Sequence, residues 1–193
     1  MPPKAKFTKE EITEAALNIV KTDGVEALTS RELGTRLGSS ARPIFTVFKN
    51  MEEVQQAVIE SASKLYKEYV NKGFAEEHPF KGVGMQYILF AVNEPKLFQL
   101  LFMTERSQMP DLSGVLPLIE ESYDKILMSI QEDYGISEFL AKKLYQHLWI
   151  YTHGIATLCA TRMCYFADDE INSMITEVCK SILTNIKECR NYD

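Results

Sequence analysis

The chain has 193 residues, of which 46% are hydrophobic and 25% charged, and its formal net charge is −6. These proportions exclude a disordered chain, and the length suits a small module followed by a larger domain. No segment reaches the roughly 18 consecutive apolar residues of a membrane span, and the polar N-terminus lacks the apolar core of a secretory signal. We therefore expect a cytoplasmic protein with no membrane partner.

Charge is distributed unevenly along the chain. Residues 1–50 contain eight Lys/Arg and six Asp/Glu, a net charge of +2, whereas the remainder contains 13 and 21, a net charge of −8. A basic end on an acidic body can direct one end of a molecule at phosphate. The same numbers also fit an ordinary solvated surface.

The first predicted helix begins after Thr8. Thr8 and Glu11 have the spacing of a capping box, in which each side chain satisfies a free amide at the helix start. An apolar stripe with a 3.6-residue period follows and ends near Thr22. Gly24 then supplies the freedom of backbone conformation that commonly ends a helix.

A second, shorter helix is predicted over Ser30–Leu37. Thr29 and Glu32 repeat the capping pattern, and Gly38 ends the helix. Gly34 lies inside it, where glycine costs about 1 kcal/mol relative to alanine. A close backbone crossing at Gly34 is the expected compensation.

Ser40 is predicted to cap a third helix that starts near Ala41. Pro43 is compatible with this start, because the amides of the first turn have no intrahelical partner. Three capped helices with a tight turn between the last two are typical of a helix-turn-helix, whose second short helix enters the DNA major groove. The alternative is a helical corner of a larger bundle.

The run AALNIVKTDGVEALTSRELGTRLGSSARPIFTVFKNMEEV, residues 15–54, resembles the DNA-binding domain of the TetR family of bacterial transcriptional regulators. The recurring parts occur in order: Ala15 and Ala16, Gly24, Leu28-Thr29-x-Arg31-x-Leu33, Leu37-Gly38, Ser40, and Ile44-Phe45-x-x-Phe48. The resemblance covers roughly residues 8–58. It implies a helix-turn-helix DNA-binding domain over 1–50, followed by a helical ligand-binding and dimerisation domain over 51–193.

Four departures from the family pattern bear on DNA binding. Phe45-Thr46-Val47-Phe48 replaces the usual Tyr-x-His-Phe, and Met51 stands in place of a lysine that commonly meets phosphate. Gly34 replaces a usual alanine, and Pro43 is unusual in the recognition helix. These changes keep the fold and reduce the phosphate contacts that normally supply salt-dependent affinity.

The resemblance places DNA contacts on two groups of residues. Backbone contacts are expected from Lys4, Lys6, Thr29, Arg31 and Lys49, and base-edge contacts from Ser39, Ala41, Arg42 and Thr46, with Ser40 between them. Arg42 is the one able to make a bidentate contact with guanine, worth about 1 to 3 kcal/mol of discrimination. A plain phosphate contact is an equally good interpretation of Arg42.

Downstream of Asn50 every segment is predicted to be helical, which makes the fold class all-α. A long helix runs from Asn50 to Gly73, and others are expected over about 84–92, 95–102, 115–134, 137–161 and 168–189. Pro110, Ser113 and Gly114 mark the most loop-like stretch.

The last two helices are the expected dimer interface. WIYTHGIATL, residues 149–158, resembles the Trp-x-x-x-His-Gly pattern of many TetR-family C-terminal domains, which implies a four-helix bundle between two subunits. The interface residues are expected to be His153, Gly154, Thr157, Met174, Val178 and Ile182. Dimerisation also follows from the few base pairs that one recognition helix reads. The alternative is that the last stripe is intramolecular core.

Aromatic and methionine side chains are frequent in the middle of the chain. By the resemblance, an inducer pocket lies among these helices, and its expected lining is Tyr66, Tyr87, Phe90, Phe98, Phe102, Met103, Tyr123, Tyr145 and Trp149. In most helical proteins such residues are simply core, and that interpretation stays open here.

No pattern for catalysis, a cofactor or a metal is present. The sequence lacks HExxH, a glycine-rich phosphate loop and a nucleophile-elbow serine, so we expect no enzyme activity. The four cysteines form no CxxC pair and are expected to be reduced, without a zinc site or disulfide framework.

The resulting hypothesis is a ligand-responsive transcriptional regulator. It would be a repressor that binds a palindromic, double-stranded operator as a homodimer and is released by a small apolar or aromatic effector. The alternative is an all-helical protein interaction module whose helix-turn-helix is structural, which the missing phosphate contacts favour. A third hypothesis is an activator or co-regulator on the same scaffold.

Overall fold

The computed structural model of the protein describes residues 6–105 and 109–189, apart from the side chains of 187–189. The described ranges form helices and contain no β-strand, which confirms the predicted all-α class. In chain order the helices are α1 Lys9–Asp23, α2 Ser30–Arg36, α3 Met51–Phe74, α4 Pro79–Asn93, α5 Pro95–Phe102, α6 Leu112–Ile119, α7 Tyr123–Tyr134, α8 Glu138–Ala160 and α9 Asp168–Cys189, with 3-10 turns at Val25–Ala27 and Ile44–Thr46.

The chain divides into two compact units. The first comprises residues 1–67 and 94–104, and the second comprises residues 68–93 and 105–193. Helix α3 therefore contributes residues to both units. The predicted domain boundary lay between residues 50 and 51, whereas the two units divide within α3, between residues 67 and 68, and α5 belongs to the first unit.

Helix α1 of the first unit has the predicted capping box. The Glu11 amide donates to Thr8 Oγ1 at 3.1 Å, and the Thr8 amide donates to Glu11 Oε2 at 2.8 Å. The helix buries Ile12, Ala16 and Ile19 among its apolar residues, and it packs against α2 and α5. Lys21 Nζ forms an ion pair with Glu94 Oε1 at 2.7 Å, beside the start of α5. The N-terminal helix is thus fixed at both ends.

Helix α2 crosses the following turn at very short range. A Cβ atom at Gly34 would lie 2.9 Å from the Ser40 carbonyl carbon and 2.9 Å from the Ala41 nitrogen. The Ser39 amide donates to the Gly34 carbonyl at 2.9 Å, and Gly38 turns the chain with φ of 62°. The predicted backbone crossing at Gly34 is confirmed.

The predicted third helix, from near Ala41, is wrong. The structure has only a 3-10 turn at Ile44–Thr46 in this stretch. A residue before proline is disfavoured in helical conformation, so Pro43 works against a helix that includes Arg42. The Thr46 hydroxyl also donates to the Pro43 carbonyl at 2.6 Å, which offers the backbone an alternative to the helical ladder.

The second unit contains a helix break that the sequence analysis did not predict. The expected single helix over 115–134 is two helices, α6 and α7, because Glu120 is extended with φ of −127° and ψ of 102°. Helix α6 begins earlier than predicted, since Asp111 Oδ1 accepts the Gly114 amide at 2.8 Å as an N-cap. Ser113 and Gly114 are therefore helical, not loop.

Helix α4 also starts earlier than predicted, at Pro79 instead of near Gly84. Its first turn crosses the end of α3 through two glycines: a Cβ at Gly73 would lie 2.5 Å from the Val83 nitrogen, and one at Gly82 would meet the Gly73 carbonyl oxygen. Helix α8 packs against α4, α6, α7 and α9 and forms the centre of the second unit.

Gly34→Ala is expected to lower the free energy of unfolding by about 1 to 3 kcal/mol, because the added methyl group meets backbone atoms that cannot rotate away. Denaturant unfolding measures the change. Gly84→Ala is the matched control, since its Cβ would meet only Thr152 Cγ2 at 3.8 Å. Equal stability of the Gly34→Ala and wild-type proteins would contradict the crossing.

Candidate functional site

The residues predicted to contact DNA lie in the first unit, and most of them are exposed. We define residues 39–49, which follow the Gly38 turn, as the recognition segment. Within it Ser40, Arg42, Thr46 and Lys49 are exposed, whereas Ser39 and Ala41 are half-buried; Lys6, Thr29 and Arg31 outside it are exposed as well. Lys4 lies outside the described residues.

Five of these side chains are engaged within the protein, including Thr46, whose hydroxyl donates to the Pro43 carbonyl as described above. Lys6 Nζ donates to Ser39 Oγ at 3.1 Å, which places a cation of the N-terminal stretch on the recognition segment. Lys49 Nζ pairs with Glu53 Oε1 at 3.4 Å, and Thr29 Oγ1 accepts the Glu32 amide at 3.2 Å as the α2 cap. A phosphate would have to compete with Glu53 for Lys49.

Arg31 and Arg42 are the cations best suited to an external anion. Both are exposed, and neither forms an ion pair within residues 6–105 and 109–189. Arg36, by contrast, lies 3.5 Å from Glu32 Oε1 and 3.8 Å from Asp23 Oδ2. Ile44 and Phe48 of the recognition segment are buried and anchor it, whereas Phe45 is 45% exposed. The surface combines a fixed backbone with two uncommitted guanidinium groups.

The predicted ligand-binding residues are divided between the two units. Tyr66, Phe98, Phe102 and Met103 belong to the first unit, whereas Tyr87, Phe90, Tyr123, Tyr145 and Trp149 belong to the second. In the first unit the Phe102 ring contacts Tyr66 with centroids 5.0 Å apart and Phe98 with centroids 5.1 Å apart. Met103 is 40% exposed.

The second unit contains a partly buried cluster of aromatic and polar side chains, which we call the tyrosine cluster: Phe80, Tyr87, Glu120, Tyr123, Tyr145, Trp149 and His153. The Tyr145 ring lies 5.6 Å from Tyr123 and 5.9 Å from Phe80 between centroids. Tyr87 Oη and His153 Nδ1 share a hydrogen bond of 2.8 Å, and Trp149 stacks on the His153 ring at 4.8 Å and 14°. The Phe90 ring packs edge-on against Tyr69, with centroids 5.3 Å apart.

The electrostatics of the tyrosine cluster keep both buried phenols and the imidazole neutral near pH 7. Burial, and then the negative charge of Glu120, raise the pKa of Tyr87 and Tyr145 well above 10. Burial alone lowers the pKa of His153 below its usual value. Glu120 is only 7% exposed as a residue, and its Oε1 accepts the Ser122 amide at 2.9 Å. A buried carboxyl group among aromatic rings can orient a ligand or a hydrogen-bond network.

Sequence reasoning missed Phe80 and Glu120 as members of this cluster. Glu120 lay inside the predicted continuous helix over 115–134, at a position where a glutamate is expected to be exposed to solvent. The signal that could have located it is Pro117 three residues earlier, since proline weakens the helix in which it lies. Phe80 lay in the predicted loop before α4.

The predicted dimer residues lie on α8 and α9 of the second unit. Met174, Val178 and Ile182 are half-exposed and follow one line along α9, beside the buried line of Ile171, Ile175, Cys179 and Ile186. On α8, Gly154 is exposed, and no atom outside its own helix backbone lies within 4 Å of a Cβ built there. Thr157 Oγ1 is buried with no hydrogen-bond partner among the described residues. His153 is committed to Tyr87 and Trp149 in its own chain.

Comparison with known proteins identifies no family. No protein-family model matches the sequence, and no curated protein matches it significantly. Within the described ranges, no helix has the length and apolar character needed to cross a membrane, and no group of His, Cys, Asp and Glu side chains could hold a metal ion.

Acidification is expected to destabilise the fold through His153. Its pKa is lowered in the folded protein, so the unfolded chain, with a pKa near 6.5, takes up a proton first and stability falls as pH drops below about 6.5. The measurement is denaturant unfolding of the wild type and of His153→Gln at pH values from about 7.5 to about 5. The free energy of unfolding is expected to fall less steeply with decreasing pH in His153→Gln than in the wild type. His78→Gln, at an exposed position, serves as the control. An unchanged slope in His153→Gln would contradict the assignment.

Proposed function

We propose that the protein is a ligand-responsive transcriptional regulator, a repressor that binds a palindromic operator as a homodimer. In this proposal α2, the Gly38 turn and the recognition segment act as the helix-turn-helix. The observation that carries the proposal is the close crossing at Gly34. The backbone of the recognition segment packs so tightly against α2 that a Cβ at Gly34 would lie 2.9 Å from backbone atoms of Ser40 and Ala41. Short helices are not stable alone in water, so a DNA-binding segment of this size must be held in place by packing against another element.

The chemistry of the surface supports DNA as the partner. Arg42 is exposed within the recognition segment and Arg31 on α2, and Lys6 is positioned on Ser39. Guanidinium groups match the acceptor pair of guanine and the oxygens of phosphate. The ion pair between Lys49 and Glu53 and the loss of the usual family phosphate contacts predict modest affinity.

For the effector we propose a small apolar or aromatic molecule that acts on the second unit. The tyrosine cluster offers aromatic surface and a few polar groups, a combination typical of small-molecule sites. Such a ligand acts only through its difference in affinity between two arrangements of the protein. Helix α3, which contributes residues to both units, is the element through which we expect the change to reach the DNA-binding residues.

The homodimer proposal is supported by the outer faces of α8 and α9. The half-exposed line of Met174, Val178 and Ile182 is apolar, and Ile150 on α8 is 52% exposed. A second copy of the chain would cover this apolar line.

A second candidate function is an all-helical protein interaction module. It is favoured by one specific observation, the replacement of the expected recognition helix by a single 3-10 turn at Ile44–Thr46. A turn of this length presents fewer side chains to a major groove than a regular helix does.

Arg42→Ala is expected to weaken selective DNA binding. In a selection from fragmented genomic DNA, wild-type protein should retain one palindromic fragment, and the variant should bind it at least about tenfold more weakly, because a bidentate pair contributes about 1 to 3 kcal/mol. Arg36→Ala removes the same charge from a side chain committed to Asp23 and Glu32. The proposal is supported if Arg36→Ala binds the selected fragment as tightly as the wild type and Arg42→Ala does not. An equal loss of affinity in both variants would oppose a specific role for Arg42.

Val178→Glu is expected to weaken the homodimer by at least about tenfold, because it buries a charge in an apolar interface. Sedimentation equilibrium measures the association constant. Ser173→Glu places the same charge at an exposed position of the same helix and should leave association unchanged. A monomeric wild-type protein, or equal effects of the two variants, would refute the proposed interface.

A further inference from the structure

The end of α8 places two cysteines near one another. The helix closes with the Arg162 amide donating to the Cys159 carbonyl at 2.9 Å and the Met163 amide donating to the Leu158 carbonyl at 3.0 Å. This pair of bonds is the Schellman motif, and Arg162 occupies its left-handed position with φ of 55°. The chain therefore folds back over the last turn of the helix.

The reversal continues for one more residue and brings Cys164 back to Cys159. The Cys164 amide also donates to the Leu158 carbonyl, at 3.3 Å. Because the Leu158 carbonyl is bonded directly to the Cys159 nitrogen, standard peptide geometry limits the two cysteine Cα atoms to at most about 7 Å apart. Disulfides span Cα distances of about 4.4 to 6.8 Å, so this limit on the Cα separation is compatible with a disulfide between the two residues. The Cys164 Sγ now donates to the Tyr165 carbonyl at 3.7 Å, so its side chain would have to rotate to reach Cys159.

The two thiols differ in exposure, and each of the other cysteines lies further along the chain. Cys164 is exposed and Cys159 is half-buried. Burial, and then the charge of the neighbouring Cys164, raise the pKa of Cys159, which agrees with their proximity. Cys179 is buried in α9, where its Sγ lies 3.7 Å from Tyr134 Oη. The exposed thiol is thus the site of first attack.

We propose that Cys159 and Cys164 form a peroxide-sensitive thiol pair that closes reversibly into an intrachain disulfide. The Cys164 thiolate attacks one oxygen of a hydroperoxide, the O–O bond breaks, and Cys164 becomes a sulfenic acid while the leaving oxygen takes a proton. The Cys159 thiol then attacks the Cys164 sulfur, the S–O bond breaks, and the hydroxyl leaves as water. Two thiols are oxidised, and one peroxide is reduced by two electrons.

The disulfide would lock the last turn of α8. The disulfide would close a loop that includes Arg162, whose left-handed conformation is unfavourable for any residue with a side chain. It would also restrain the chain at the start of the α8–α9 connection. In a reducing compartment such a bond is transient, which suits sensing better than structural support. The inference stands on the α8 geometry and does not rest on the proposed DNA or effector functions.

The test uses reduced full-length protein treated with one equivalent of hydrogen peroxide. Trypsin cleaves after Arg162, between the two cysteines, so the disulfide appears as residues 144–162 joined to residues 163–180. Cys179 lies in the second peptide, and the Cys179→Ser variant therefore serves as the control. Cys159→Ser and Cys164→Ser, checked for folding by circular dichroism, remove either partner.

The expected result is a chain that remains a single polypeptide on non-reducing electrophoresis, loses two thiols and gives the joined peptides in both the wild type and Cys179→Ser. The joined peptides should be lost in Cys159→Ser and Cys164→Ser and should disappear on treatment with a dithiol reductant. Amide exchange at Met163 and Cys164 should slow in the oxidised protein. Loss of the joined peptides in Cys179→Ser, or disulfides only between chains, would overturn the proposal.

Discussion

The contact between Gly34 and the backbone of Ser40 and Ala41 is the constraint on which the proposed DNA-binding surface depends. At 2.9 Å from the Cβ position, no residue larger than glycine fits without movement. This crossing, with the left-handed turn at Gly38, fixes where Arg42 emerges. The site is therefore specified by backbone packing in α2 as well as by the side chains that would meet DNA. The absence of a side chain at position 34 is a requirement of the fold.

The second unit is organised by a different constraint, the burial of polar groups among aromatic rings. Glu120 interrupts the helical run between α6 and α7, and its carboxyl group lies in the same cluster as Tyr87 and Tyr145. Burial keeps His153 neutral, and its hydrogen bond to Tyr87 ties α8 to α4. A buried polar network of this kind specifies one arrangement when all its hydrogen bonds are made, and it responds when a ligand or a proton changes them.

The sequence predicted the helices where a local signal determines them. Thr8 and Glu11 located the start of α1, Pro95 located α5, and the glycine in α2 indicated the crossing. It failed at breaks and turns of the backbone, which hydrophobic periodicity does not record. The break at Glu120 follows a proline inside α6 that was not weighed, and the proposed thiol pair depends on a helix-ending turn that is not a CxxC motif. In the recognition segment Pro43 was judged compatible with a helix, whereas its effect on Arg42 prevailed. The aromatic residues were correctly identified as abundant, yet composition could not assign them to two separate units.

The salt dependence of DNA binding tests the central claim most directly. The quantity to measure is the binding constant for a selected fragment as a function of salt concentration. Lys6, Arg31, Arg42 and Lys49 on each subunit of a dimer predict a log–log slope between about −3 and −7, because each neutralised phosphate contributes about −0.9. A slope near zero, or failure to select any DNA fragment at low salt, would contradict the proposal that the protein is a DNA-binding regulator. Either result would favour a protein interaction module.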